Sequence, residues 1–91
     1  MRPRRRTRLR ILVDILRVLE AGDANVSRLM LEANLSYARL LKYLEELEAK
    51  GLVKRVEDGR EVRYRITARG AEFLREFDRM LRLAEAFGIE L

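Results

Sequence analysis

The chain has 91 residues, of which 38% are charged and 48% hydrophobic, and it contains no cysteine and no histidine. This length supports one small domain, and the missing residue types exclude disulfides, thiolate or imidazole metal sites and Ser-His or Cys-His catalysis. We therefore predict that the protein is not an enzyme and uses no cofactor and no metal. No apolar run approaches the roughly 20 residues that cross a bilayer, so we expect a cytoplasmic protein.

Positive charge is concentrated at the start of the chain. The net charge is +5, yet residues 1–10 hold six arginines and no acidic residue, which leaves the remainder at −1. Residues 1–6 have nothing to bury after Met1, and like charges repel, so we predict a flexible basic arm. Arg4, Arg5 and Arg6 are its candidate DNA contacts, on phosphates or in a minor groove. A solubility tail is the alternative.

The first helix is predicted over residues 8–21, with Thr7 as its N-cap and Gly22 after its end. Its apolar residues form two adjacent stripes at helical spacing, and these are Leu9, Leu12, Leu16 and Leu19 in one and Ile11, Ile15 and Val18 in the other. So wide an apolar face predicts burial on two sides, between the elements that follow.

Residues 27–53 predict a helix-turn-helix. A short helix over about residues 26–32, capped by Asn25, precedes a turn at residues 33–35 and a longer helix over residues 36–50 that Gly51 ends. Leucines at spacings of three and four bury one side of the longer helix, and its other side suits the major groove of DNA. The candidate DNA-binding residues on these helices are Arg28, Ser36, Tyr37, Arg39, Lys42 and Tyr43.

After residue 51 the apolar period changes from 3.6 to 2, which predicts strands over residues 53–57 and 61–66 that form a β-hairpin wing. Between a two-residue Asp-Gly turn and a three-residue loop over residues 58–60, we favour the loop because it aligns Val56 with Val62. That register places the arginines Arg55, Arg63 and Arg65 on one outer face, as candidate phosphate ligands. A solvated strand face is the alternative.

A last helix is predicted over residues 68–87, with Thr67 as its N-cap. Its apolar residues recur at intervals of four and three, the spacing of a coiled-coil seam, so we expect residues 68–91 to form a homodimer interface. The candidate interface residues are Phe73, Phe77, Met80, Leu81, Ala84 and Phe87. Packing of this stripe on the first helix of the same chain is the alternative.

Three segments carry a family resemblance: S-R-L-M-L-E-A-N-L-S-Y at 27–37, L-x-x-L-x-A-K-G-L-V at 44–53 and Y-R-I-T-A-R-G-A-E-F-L at 64–74. They resemble archaeal winged-helix DNA-binding proteins of the ten-kilodalton chromatin-associated type, over roughly residues 8 to 80. The resemblance implies a homodimer joined by an antiparallel coiled coil of C-terminal helices, with a winged helix at each end that binds double-stranded DNA. The chain departs from that pattern at Leu31, where a tyrosine is expected, and in a shorter C-terminal helix.

Together these patterns predict a mainly α fold with a β-hairpin wing, in which residues 7–67 form a winged helix-turn-helix followed by the dimerisation helix. The predicted function is a nucleoid-associated, double-stranded-DNA-binding homodimer, acting as transcriptional regulator or chromatin component. High sequence specificity is not expected, because Arg39 is the one bidentate guanine reader on its helix. The alternative is a protein-interaction module of the transcription machinery, which the near-zero charge of residues 36–50 favours. The arginine-rich, glutamine-free composition is compatible with a thermophile.

Overall fold

The computed structural model describes residues 6–90 as four helices and one β-hairpin. Helix α1 spans Arg8–Glu20, α2 spans Val26–Ala33, α3 spans Tyr37–Ala49 and α4 spans Ala68–Ala86. Strand β1 spans Val53–Asp58 and strand β2 spans Glu61–Ile66, and the two strands pair antiparallel. The predicted fold class is confirmed: a winged helix-turn-helix followed by a C-terminal helix. No helix in the described range has the length and apolar character needed to cross a membrane.

Every helix starts where a side chain accepts a hydrogen bond from the first turn, because the first backbone N–H groups of a helix have no partner inside it. The four capping residues are those predicted, namely Thr7, Asn25, Ser36 and Thr67. The turn between α2 and α3 depends on Asn34, which takes the left-handed conformation with φ of 55°. Asparagine tolerates this conformation better than most residues, so the helix-turn-helix is encoded locally.

Helix α1 lies at the centre of the core, as its wide apolar face predicted. Its buried residues are Ile11, Leu12, Val13, Ile15, Leu16 and Leu19. The other elements close around α1 with Leu29 from α2, Leu40, Leu44 and Leu47 from α3, Tyr64 from β2 and Leu74 from α4. The prediction is wrong at Leu9, which is 47% exposed, because the apolar stripe runs one turn beyond the elements that cover it.

The hairpin register differs from the predicted one. Asp58 pairs with Glu61, so the connection is the two-residue turn Gly59-Arg60. Its first residue, Gly59, has φ of +63°, as a type II′ turn requires. The predicted three-residue loop aligns Val56 with Val62 and Leu52 with Ile66. The observed register stabilises the fold more through burial at the base of the hairpin, where Val53 and Tyr64 are only 2% and 7% exposed.

This register separates the wing arginines that were predicted to share one face. Arg55 lies opposite Tyr64 in the ladder and therefore on the buried side of the hairpin, while Arg63 and Arg65 alternate with Tyr64 and point to the other side. Tyr64 also exchanges two backbone hydrogen bonds with Ala24, at 3.1 and 2.8 Å. The connection between α1 and α2 thus joins the hairpin as a one-residue third strand.

Helix α4 is fixed against the winged helix at its first turn. Gly70 packs so tightly that a Cβ atom there would lie 2.1 Å from the Leu52 carbonyl oxygen, so only glycine fits. The Thr67 hydroxyl donates to the Gly51 carbonyl at 2.7 Å. Further along α4, Asp78 accepts a 2.7 Å hydrogen bond from Arg17 of α1. The helix is therefore positioned at two places along its length.

Candidate nucleic-acid interface

The outer side of α3 is the surface that the helix-turn-helix presents to solvent. Three leucines bury its inner side, and the residues opposite them, Ala38, Lys42, Glu45 and Ala49, recur at spacings of four, three and four and are all exposed. At the N-terminal end of α3 this surface includes the short side chain of Ala38 and is exposed to solvent. We name Tyr37, Ala38, Arg39 and Lys42 the reading face.

The reading face carries positive charge that forms no ion pair in the part of the chain that the structure describes. Arg39 forms no ion pair within residues 6–90, and the Lys42 ammonium lies 5.9 Å from the centre of the Tyr43 ring. Tyr37, at 57% exposure, leaves its ring open to a ligand. The Ser36 hydroxyl accepts from the Arg39 N–H at 3.4 Å, at the positive end of the helix dipole. These features favour an anionic partner at this end of α3.

The other end of α3 is acidic, but part of that acid is used inside the fold. Glu46 accepts a 3.1 Å hydrogen bond from the Arg8 Nε and lies 3.5 Å from the Lys50 Nζ. Glu48 faces the wing, where burial and the Glu48 charge raise the pKa of Tyr64. Glu45 remains exposed beside Lys42. The charges of α3 are therefore unevenly distributed. Its cations, which form no ion pair within residues 6–90, lie in the N-terminal half, and its acidic residues lie in the C-terminal half.

On the wing, two of the predicted phosphate ligands are held by carboxylates. Arg65 donates to both carboxylate oxygens of Asp23, at distances between 2.7 and 3.1 Å. Arg63 donates to Glu61 at 3.0 Å, and the same Glu61 side chain accepts from Asn25 at 3.0 Å. We name Asp23, Glu61, Arg63 and Arg65 the paired wing edge. Arg55 lies apart from it, with Glu57 at 3.9 Å.

The electrostatics of the paired wing edge follow from these contacts. The hydrogen bond from Arg65 lowers the pKa of Asp23, and hydrogen bonds from Asn25 and Arg63 lower the pKa of Glu61. Each carboxylate in turn raises the pKa of its arginine. Both acids are therefore ionised at neutral pH, and they cancel most of the charge that the two arginines would offer to a phosphate.

Two exposed cations of the wing were not among the predicted DNA ligands. Lys54 and Arg60 are exposed and form no ion pair within residues 6–90. In the predicted register Arg60 lies in the loop and Lys54 lies on the apolar side of the hairpin. Lys54 shares a strand face with Arg65, its partner in the ladder. The signal that could have found both residues was the hairpin register.

The remaining predicted DNA ligands lie in different surroundings. Arg28 on α2 forms an ion pair with Glu32, one turn along the same helix. Arg6, predicted as part of the arm, reaches the end of α2 and bonds there within the fold. Arg4 and Arg5 lie outside the described residues. The reading face is thus the part of the predicted site where the structure brings unpaired groups together.

Helix α4 buries some residues of the predicted dimer seam and leaves others exposed. Phe73 and Phe77 pack against the core, and Ala84 is 7% exposed. The Phe77 ring lies between Arg10 and Arg17, whose guanidinium carbons are 5.7 and 5.9 Å from its centre.

The rest of this seam is exposed to solvent. The exposed apolar residues here are Met80 and Leu83 of α4 together with Phe87 and Ile89, which follow its last residue, and we name these four residues the apolar strip. The strip keeps two of the predicted interface residues, Met80 and Phe87. Leu83 and Ile89 join them in place of Phe73, Phe77 and Ala84, which are buried or half-buried, while Leu81 is half-buried.

The helix-turn-helix and the β-hairpin wing define a winged-helix protein. The cations that form no ion pair within residues 6–90 lie at the exposed N-terminal end of α3, the second helix of the helix-turn-helix. Residues 5–85 match the winged helix-turn-helix family, and the chain belongs to that family. A comparison with curated protein sequences gives no match.

Solved structures of transcriptional regulators and of a DNA-binding protein are similar to this chain. The transcriptional regulator BldR from Sulfolobus solfataricus is 26% identical, with a TM-score of 0.75 over 86% of this chain and 60% of BldR. The chain therefore spans about three fifths of BldR. The DNA-binding protein Sso10a-2 from the same organism has a TM-score of 0.75 at 24% identity, over 91% of this chain and 85% of that one, which shows the fold alone. The transcriptional regulator YodB from B. subtilis is 26% identical, with a TM-score of 0.74 over 80% of this chain and 76% of that one.

Proposed function

We propose that the protein is a dimeric, double-stranded-DNA-binding regulator or chromatin component that inserts the N-terminal half of α3 into the major groove. The observation that carries this proposal is the reading face, an exposed helix end with cations that no carboxylate of the described chain pairs. Support also comes from the similar structures, since BldR is a transcriptional regulator and Sso10a-2 a DNA-binding protein.

Each residue of the reading face has a chemical role in this proposal. The major groove is about 12 Å wide and accepts one helix. The short side chain of Ala38 allows α3 to approach the base edges closely. Arg39 is the guanine reader, through a bidentate hydrogen bond to O6 and N7. Lys42 and the N-terminus of α3 bind phosphates, and Tyr37 packs on a sugar or base edge.

The sequence-independent part of the affinity comes from phosphate contacts outside α3. Lys54 and Arg60 supply charge from the wing that forms no ion pair within residues 6–90, and Arg4 and Arg5 supply the charge of the arm. Arg55 adds less because Glu57 lies nearby, and Arg63 and Arg65 add less because they stay within the paired wing edge. Since each neutralised phosphate contributes about −0.9 to the salt slope, these residues set how steeply binding weakens with salt.

Dimerisation through α4 makes the site bivalent. Four large apolar side chains in a row, more than half exposed, are costly on a monomer and are typical of an interface. Met80, Leu83 and Phe87 recur at spacings of three and four, the knobs of a short helix–helix seam. Two winged helices joined by this seam bind DNA more tightly than either alone.

Fluorescence anisotropy with a random-sequence duplex tests DNA binding. We expect saturable binding at low salt that weakens linearly on a double logarithmic plot as salt rises. Absence of binding at low salt would instead support the protein-interaction alternative, for which the exposed Glu45 on α3 is the specific observation.

Light scattering coupled to gel filtration tests the dimer. We expect Phe87→Asp to give a monomer, because a charge in the centre of an apolar interface is not solvated. The matched control is Leu31→Asp, which introduces the same charge at a leucine that is 81% exposed on α2 and leaves the dimer intact. A dimer that survives Phe87→Asp contradicts the assignment of the apolar strip.

Genome-wide mapping of bound sites separates the two roles that the proposal combines. A few sharp peaks identify a regulator. Broad coverage identifies a chromatin component, as the single guanine reader of α3 favours.

A further inference from the structure

Arg6 lies immediately before α1, yet its side chain ends at the helix-turn-helix turn. Its Nη1 donates to the Ala33 carbonyl at 2.6 Å and to the Asp14 carboxylate at 3.0 Å. Its Nη2 donates to the Asn34 carbonyl at 2.7 Å. One guanidinium thus joins α1 to the last residue of α2 and to the C-cap Asn34 that begins the turn, and the Arg6 side chain is only 28% exposed.

The carbonyls that Arg6 bonds are ones that a helix end leaves without partners. The backbone closes the turn on an earlier residue, because the N–H groups of Asn34 and Leu35 both bond to the Met30 carbonyl. The carbonyl groups of Ala33 and Asn34 therefore accept hydrogen bonds from outside the turn. A cation is also the favoured charge at the C-terminal end of a helix.

We propose that Arg6 is a positioning residue that fixes the turn between α2 and α3, and so the angle at which α3 meets DNA, and that it does not bind phosphate. Three of its five N–H donors bond inside the fold, to two carbonyls and a carboxylate. The turn that it holds ends at Ser36, the N-cap of α3. The inference rests on the proposed function, which it deepens by removing Arg6 from the phosphate ligands.

The comparison of Arg6→Lys with Arg6→Ala tests this role in DNA binding. Lysine keeps the charge that a phosphate needs but lacks the planar fork that joins two carbonyls. We expect both variants to bind a random-sequence duplex about three- to tenfold more weakly than the unchanged protein, with the same salt slope. The inference is overturned if Arg6→Lys binds as the unchanged protein does and Arg6→Ala loses about 0.9 from the slope.

Amide hydrogen exchange without DNA provides a readout that does not depend on the proposed function. We expect faster exchange at the amides of residues 35–39 in both Arg6 variants, because the turn is less restrained. Arg75→Lys, an exposed position on α4, is the matched control and leaves these amides unchanged. If the unchanged protein fails to bind DNA, the proposed function fails, and the exchange result still decides the role of Arg6. Unaltered exchange in Arg6→Lys and Arg6→Ala contradicts the inference.

Discussion

The reading face of α3 and the paired wing edge carry the same kind of cationic side chain in different surroundings. On α3, Arg39 has no carboxylate partner within the described chain, whereas on the wing Arg65 is held through two nitrogens by Asp23. A phosphate that approaches Arg39 meets a donor already free to bond. A phosphate that approaches Arg65 has to compete with a carboxylate.

This difference means that counting arginines overestimates the DNA-binding charge of a surface. Exposed ion pairs contribute little to stability, but they decide which guanidinium groups are available to a ligand. In this fold the acids of the paired wing edge come from the connection between α1 and α2 and from β2 itself. The wing is therefore partly neutral, while the smaller reading face is not.

The largest expected effect is that of Arg39→Ala. It removes an unpaired, charge-assisted contact, so duplex binding should weaken by about tenfold or more. Titration by gel shift measures the change, with Arg75→Ala as a control that alters the net charge equally on α4. Equal affinities for these two variants would sink the assignment of α3 as the recognition helix.

A smaller effect, of opposite sign, is expected for Asp23→Asn. It frees Arg65 to reach phosphate, so affinity should rise by about threefold and the salt slope should steepen. Asp58→Asn is the matched control, since it removes the same charge from the wing at a residue without an ion pair in the described chain. If both variants raise affinity alike, general charge and not the release of Arg65 is responsible.

Substitution of the wing cations should reveal the same contrast more weakly. Arg63→Ala should change duplex affinity by less than about twofold, because Glu61 already holds the guanidinium. Lys54→Ala, on the neighbouring strand, should weaken duplex binding more than Arg63→Ala does, and the magnitude of the salt slope should decrease by about 0.9. The comparison fails if Arg63→Ala proves the more damaging of the two.

The smallest expected effect is on stability in acid. The pKa of Asp23 is lowered in the folded state by its hydrogen bond from Arg65, so the pair stabilises the fold above the unfolded pKa. That contribution is lost as the pH falls through the folded pKa. The melting temperature of Asp23→Asn should fall less on acidification than that of the unchanged protein, by no more than about 4 °C. Identical pH dependence for both proteins would show that the pair is not formed in solution.

Much of the fold could be predicted because its signals are local. The caps Thr7, Asn25, Ser36 and Thr67 each bond to a backbone N–H three residues away, so the helix starts follow from the sequence alone. Leucine spacing identified the buried side of α3 in the same way. The exposure of Lys42 followed from the same spacing, because Lys42 lies opposite those leucines.

The tertiary structure decided the features that depend on distant residues. The apolar alternation at the start of β1 fits two registers because Leu52 and Val53 are both apolar, and burial of Val53 and Tyr64 at the base of the hairpin settled that choice. The Ala33 carbonyl that Arg6 bonds and the Asp23 carboxylate that Arg65 bonds lie 27 and 42 residues away, beyond any spacing rule. The heptad pattern of α4 likewise showed which residues are apolar. Only the position of α1 determined that Phe77 packs within the chain while Phe87 remains exposed.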